Sequence, residues 1–226
     1  MAYKTNLSGS TATFADMMKR FGVVTVMNAK VYDTAELAGD STIADYFKSK
    51  TAYDVVKAAA AATEICELDT LKTANVTVDG PDKTINGGQY ANPLIKFGKS
   101  ARLEIQDALG NSAALEALCG GFQEWNTTKL SGMHFGEDFG GPKTIIGDSF
   151  FIDQKTGSQV KVKVVFYQFL PDSLFNLTQD SEGDATVFDM NGDLLTTVIK
   201  VGDATGTDLL EHGVFYSIVD PNEQGA

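Results

Sequence analysis

The tetrapeptide FGKS at 97–100 closes a glycine-rich stretch, INGGQYANPLIK, and looks like the end of a phosphate-binding loop. Such a loop reads G-x-x-x-x-G-K-[ST] and lies between a strand and a helix. The position that should hold its first glycine is Pro93, which has no backbone N–H to offer a phosphate. The residues that follow do not form a helical pattern. Ala101, Leu103 and Ile105 alternate with Arg102, Glu104 and Gln106, the period of a half-buried strand. The spacing therefore predicts a loop entering a strand, not a nucleotide site.

Other chemistry-bearing residues are equally incomplete. His134 and His212 have no G-x-S-x-G serine to serve. Glu137 and Asp138 could pair as acid and base beside His134, but adjacent carboxylates on a glycine-rich loop read as solvated. Asp189, Asn191 and Asp193 mimic the start of a calcium loop, yet Leu194 and Lys200 stand where glycine and glutamate are required. A second start at Asp180 fails in the same two places, at Ala185 and Asn191, and both segments read as turns. Cys66 and Cys119 belong to no C-x-x-C pair, and two histidines cannot complete a zinc set. Buried thiols are the default for them, with a disulfide between the two left open. Trp125 with Phe122 and Phe139 could form a stacking platform for a sugar, although one tryptophan on a turn-rich segment reads first as a core plug. No catalytic residue, metal or cofactor is expected, and the chain does not read as an enzyme.

The 226 residues are 43% apolar, which supports a packed core. No apolar run approaches the ~18–20 residues of a membrane helix, and the start, MAYKTNLSGSTATF, has no apolar secretion core. No association with membranes is expected. Thirty acidic residues against 18 basic ones give a net charge of −12. That balance argues against a surface built to grip phosphate backbones, but it suits one that must stand beside nucleic acid without adhering.

The elements follow from periodicity and turn signals. A short helix is expected at 10–21 and a strand at VVTVMNAKVYD. Helices follow at STIADYFKSK and at TAYDVVKAAAAATE, the latter capped by Thr51 with Asp54 three residues on. Strand character returns in TEICELDTLKTANVTVDG. A long loop spans 80–99, and a helix at 111–119 is capped by Asn111 and closed by Gly120 and Gly121. GFQEWNTTKLSGMHFGEDFGGP reads as turn-rich. KTIIGDSFFIDQKTG and QVKVKVVFYQF read as strands and PDSLFNLTQDSEGD as a loop. ATVFDMNGDLLTTVIKVG reads as two short strands across an Asn-Gly turn, and HGVFYSIVD as the last strand. The expected class is mainly β (α+β): one domain over 1–226, an antiparallel sandwich or barrel with one packed helix, and 10–63 as an N-terminal helical elaboration.

Two segments carry a family resemblance. KTANVTVDGPDKTINGGQYANPLIKFGKSARLEIQDALGNSAALEAL is a strand, a long Gly/Pro loop, a strand and a helix. VKVKVVFYQFLPDSLFNLTQDSEGDATVFDMNGDLL is a strand, a polar loop and an aromatic strand ending in aspartates and leucines. Together, over about residues 70–200, they resemble the major tail tube proteins of tailed bacteriophages. The stretch 10–63 fits that pattern least.

The resemblance implies a virion structural protein that self-assembles as stacked hexameric rings whose inner sheets join into a barrel. The channel of such a tube carries the tape measure protein during assembly, and genomic DNA passes it at ejection without specific binding. Tail terminator and baseplate proteins are the implied further partners. The implied location is the virion tail, after assembly in the host cytoplasm. A long loop reaching the next ring would be the one bearing Asn86, Tyr90, Pro93, Leu94, Ile95 and Phe97, whose apolar side chains are costly to leave in water. Glu104 and Asp107, near the end of one strand, are the acidic candidates for the channel face. A monomeric β-sandwich binding module and another virion part, such as a baseplate or capsid-decoration protein, remain the competing readings.

Overall fold

The structure, a computed structural model, describes residues 14, 23–68, 71–80, 82–84, 94–96, 98–107, 112–135, 141–152, 159–177, 188–202 and 209–221. The expected helix at 10–21 lies outside them except for Phe14, whose ring packs 5.6 Å from that of Phe151.

The first half carries most of the helix. Strand β1 (Val23–Asp33) spans the β-branched run as expected. Its last residue, Asp33, accepts hydrogen bonds from the amides of Ala35 at 2.8 Å and Glu36 at 3.2 Å, and so starts α1 (Thr34–Ala38). This helix is too short to show a period and was not expected. Helix α2 (Ile43–Lys48) starts on Thr42. In α3 (Ala52–Ala61) Thr51 and Asp54 form the reciprocal capping box that the sequence predicts. The Thr51 amide, with the Thr51 hydroxyl, holds the Asp54 carboxyl below the usual carboxylate range. Strands β2 (Cys66–Leu68), β3 (Leu71–Asp79), β4 (Asp82–Thr84), β5 (Leu94–Lys96) and β6 (Ser100–Asp107) follow. Helix α4 (Ser112–Cys119) is the expected packed helix, and Gly120 leaves it at φ 67°, the left-handed exit that glycine adopts without strain.

The rest is strand. It comprises β7 (Gly121–Asn126), β8 (Lys129–Phe135), β9 (Lys143–Ile152), β10 (Gln159–Leu177), β11 (Phe188–Leu194), β12 (Thr197–Gly202), β13 (Leu209–Val214) and β14 (Tyr216–Val219). Eight of the strands form one antiparallel sheet in the order β2-β1-β9-β10-β11-β6-β3, with β14 paired to β10. The sheet curls, and β3 comes back beside β1. The chain is mainly antiparallel β, as expected.

Strand alternation divides the apolar side chains between two cores. Val31, Ile145, Val164 and Phe166 join Leu103, Ile105, Met190 and helix α4 in the concave core. Their sequence neighbours Tyr32, Ile146, Val165 and Tyr167 point the other way, into a second core with α1, α2, α3 and Ile199 of β12. Burial on both faces explains why VVFY, residues 164–167, is an unbroken apolar run. The helical layer is tied down by polar contacts as well. The Thr34 and Thr144 hydroxyls lie 3.0 Å apart, and Thr144 donates to the Tyr167 carbonyl at 2.9 Å. Tyr167 donates in turn to Ser217 Oγ at 2.7 Å, and burial pushes its phenol up to about 12.

Three expectations on loops need correction. PDSLFNL, expected as loop, continues β10 to Leu177, with the register shift between Pro171 and Phe175 absorbing the proline. FDMNGDL is one strand, not a turn between two. Gly192 serves close packing there, since an added Cβ would collide with the Leu170 carbonyl oxygen and the Phe169 ring. The calcium-like residues Asn191 and Asp193 therefore lie on extended backbone. GFQEWNTTKLSGMHF is a two-stranded hairpin, β7 with β8, instead of a turn-rich segment.

Candidate assembly surfaces

The β3, β6 and β11 portion of the sheet has two contrasting faces. Registers align Ala74, Ile105 and Met190 in one row, and Val76, Leu103 and Gly192 in the next. These rows lie on the concave core. The alternating rows are Asn75–Glu104–Asn191 and Thr77–Arg102–Asp193, all exposed or half-exposed. No described element covers this second face. Arg102 is its one cation in these rows. It pairs with Asp172, which reaches over from β10, and lies 3.6 Å from Asp193. Glu104 and, at the strand end, Asp79 add further negative charge. The outcome is a polar sheet surface with an excess of carboxylates.

Glu104 thus sits exposed in the middle of a polar row. Asp107 is the last residue of β6, in register with Phe188 and Leu71, and its side chain falls outside what the structure describes.

The region 80–99 is not a plain loop. Asp82 pairs with Lys96, Lys83 with Ile95 and Thr84 with Leu94, so β4 and β5 form a short ladder just beyond the Asp79–Ser100 end of the β3–β6 pair. The ladder starts from β3, the terminal strand of the sheet. Leu94 and Ile95 belong to it, while Asn86, Tyr90, Pro93 and Phe97 lie outside the described residues. The lysine of FGKS, Lys99, is exposed and leads directly into β6, so the loop-to-strand expectation holds.

The β7–β8 hairpin overturns the core-plug expectation for Trp125, which is 59% exposed. Two residues, Thr127 and Thr128, connect the strands, and Thr127 takes a φ of 62°. Phe122, Glu124 and His134 share one face: the Phe122 and His134 rings stack at 5.2 Å, and His134 Nε2 lies 2.9 Å from Glu124 Oε2. Met133 and Phe135 crowd Gly121 on the other face, to which alternation along β7 also assigns Trp125, and a register shift between Glu124 and Trp125 sets Leu130 opposite Trp125. Phe122 and Trp125 therefore point opposite ways and do not form the single stacking platform considered above. Phe139, Glu137 and Asp138 lie outside the described residues. His134 is held by its neighbours on the hairpin, and His212 is exposed on β13 opposite Ile199.

A second exposed apolar surface was missed in the sequence. Val198, Val201, Leu209 and Leu210 on β12 and β13 are between 39% and 55% exposed. The strand itself gave a clue to Val198 alone: in TVIKVG alternate residues face the helices, so Val198 looks outward, whereas Val201 shares the face of buried Ile199 and is exposed nearer the end of the strand. Cys66 is buried in the concave core. Among the described residues no group of three or more His, Cys, Asp or Glu side chains is placed to hold a metal ion. No described helix is long and apolar enough to cross a membrane.

No protein-family model and no curated protein matches the chain. Among solved structures it is similar to the six-fold symmetrised cryo-EM structure of the anti-feeding prophage baseplate. The likeness covers 71% of this chain and 85% of that one at 6% identity, with a TM-score of 0.31. At that score the likeness carries no weight in assigning a fold family or a function.

Proposed function

We propose that the chain is a structural subunit, not an enzyme, that polymerises as stacked hexameric rings into a phage tail tube. The observation that carries this reading is the two-sided character of β3, β6 and β11. One face is sealed by the apolar core, and the other is polar, acidic and covered by no described element. Such a face is suited to line a water-filled channel. DNA moving along a basic wall would gain affinity from every neutralised phosphate and stall. Against Glu104, Asp172, Asp193 and Asp79 the phosphate backbone gains no such contact, so the duplex slides past without being held.

The β4–β5 ladder supports the same reading. It extends from the sheet edge and carries Leu94 and Ile95, and a neighbouring subunit that paired with or covered it would satisfy both its edges and its apolar residues. Tape measure, terminator and baseplate proteins as partners, passage of the genome through the tube, and residence in the virion tail after assembly in the host cytoplasm follow from the sequence resemblance. Negative-stain electron microscopy of the purified protein tests the reading: rings or tubes are expected, and a strict monomer at every concentration would contradict it.

A further inference from the structure

Arg102 stands on the uncovered face of β6 with 44% of its side chain exposed. A free guanidinium there would be a ready phosphate ligand, since its planar fork matches two phosphate oxygens at once. The structure does not leave it free. Nη2 pairs with Asp172 and Nη1 lies 3.6 Å from Asp193, so each end of the fork meets its own carboxylate.

The two carboxylates arrive by different routes. Asp193 is the direct register partner of Arg102 on β11. Asp172 comes from β10, which β11 separates from β6. Pro171 is in register with Gly192 and Phe175 with Met190, so Asp172, Ser173 and Leu174 stand opposite Asn191 alone. The extra residues release this part of β10 from the ladder, and an irregularity of that kind re-aims a side chain. Here it lets Asp172 reach across β11 to a strand with which β10 does not pair.

Stability does not account for the arrangement, because ion pairs this exposed contribute little to folding. Their larger effect is on what can approach. One cation between two carboxylates is a site of net negative charge, and Glu104 lies two residues further along the same strand face. A phosphate reaching Arg102 must displace one carboxylate and sit against the other.

We infer that Asp172 and Asp193 withhold Arg102 from phosphate, and that this masking keeps the β3, β6 and β11 face from holding a nucleic-acid backbone. The inference rests on the reading of that face as a channel wall and names the residues on which its indifference to DNA depends.

The test is binding of a short DNA duplex to the full-length protein at about 20 mM salt, where screening is weak. Asp172→Asn with Asp193→Asn should bind the duplex at least about tenfold more tightly than wild type, and the gain should vanish as salt rises. Adding Arg102→Gln should return binding to the wild-type level. Glu36→Gln with Asp40→Asn removes the same charge from exposed positions in the helical layer and should gain less than about twofold. Asp193→Asn alone, at a side chain 62% exposed, should melt like wild type and gain in the same direction, which keeps the test decisive if the double variant folds poorly. Asparagine variants that bind no better than wild type, a gain that survives Arg102→Gln, or an equal gain from the helical-layer control would overturn the inference. The comparison does not require assembly. Tubes with this face turned outward, or a chain that never assembles, would remove the channel reading and leave the masking of Arg102 standing.

Discussion

Lys143 and Asp33 face each other as direct register partners across β1 and β9, with Lys143 Nζ donating to Asp33 Oδ2 at 2.6 Å. The lysine side chain is only 9% exposed, so this carboxylate is what allows a charge to sit there. The same carboxylate caps α1, so one side chain joins the sheet to the helical layer.

Asp33→Asn should cost about 3 kcal/mol at neutral pH, because it leaves the buried ammonium without its counter-charge. Burial raises the Asp33 carboxyl, but the Lys143 hydrogen bond and charge and the amides of Glu36 and Ala35 outweigh it and hold the group below its usual range. A lowered folded value contributes stability above the unfolded pKa of about 3.9, and loses it as pH falls through the folded value. The gap between wild type and variant should therefore narrow below about pH 4. Urea unfolding at pH 7 and pH 3 measures it; a gap that widens in acid contradicts the linkage.

Helix α4 plugs the concave core through Ala114, Ala117 and Leu118, while Glu116 is exposed. Leu118→Ala should cost about 2–5 kcal/mol and Glu116→Ala less than about 0.5 kcal/mol. Equal effects in thermal unfolding would refute this orientation of the helix.

Gly192→Ala separates a packing glycine from a turn glycine. On the strand described here the new methyl meets the Leu170 carbonyl and the Phe169 ring, and the variant should lose about 1–3 kcal/mol. A neutral substitution would mean that β10 and β11 do not approach this closely.

Replacing 82–96 by a two-residue turn should leave the β3–β6 pair and the melting temperature nearly unchanged, since that pair ends at Asp79 and Ser100. Polymerisation should be lost. Normal tubes from this variant would show that the ladder is no inter-subunit arm.

What the sequence made legible depended on how local the determinants are. The strand at Val23–Asp33, the Thr51–Asp54 cap and α4 all rest on side chains within one element, and each is found where its pattern puts it. Misreadings came where distant packing overrides a local signal. Pro171-Asp-Ser and Asn191-Gly192 are turn signals in isolation, yet a register shift and a tight approach by Phe169 keep both extended. The β7–β8 hairpin was hidden because Thr127-Thr128 is not a favoured connection, and because it has no apolar core of its own to set a strong alternation. Of the candidate site residues, Glu104 could be placed from alternation alone. The polar face around it could not, because its rows join β3, β6 and β11 across more than a hundred residues of sequence.

The most direct test of the central claim is an electron cryo-microscopy map of the assembled wild-type protein, read for which sheet face lines the lumen. The account predicts a tube of stacked rings in which Glu104, Asn75, Thr77 and Asp193 line the channel and the wall is net acidic. Tubes with this face turned outward, a lumen that is neutral or basic on average, or a protein that stays monomeric at every concentration would contradict it.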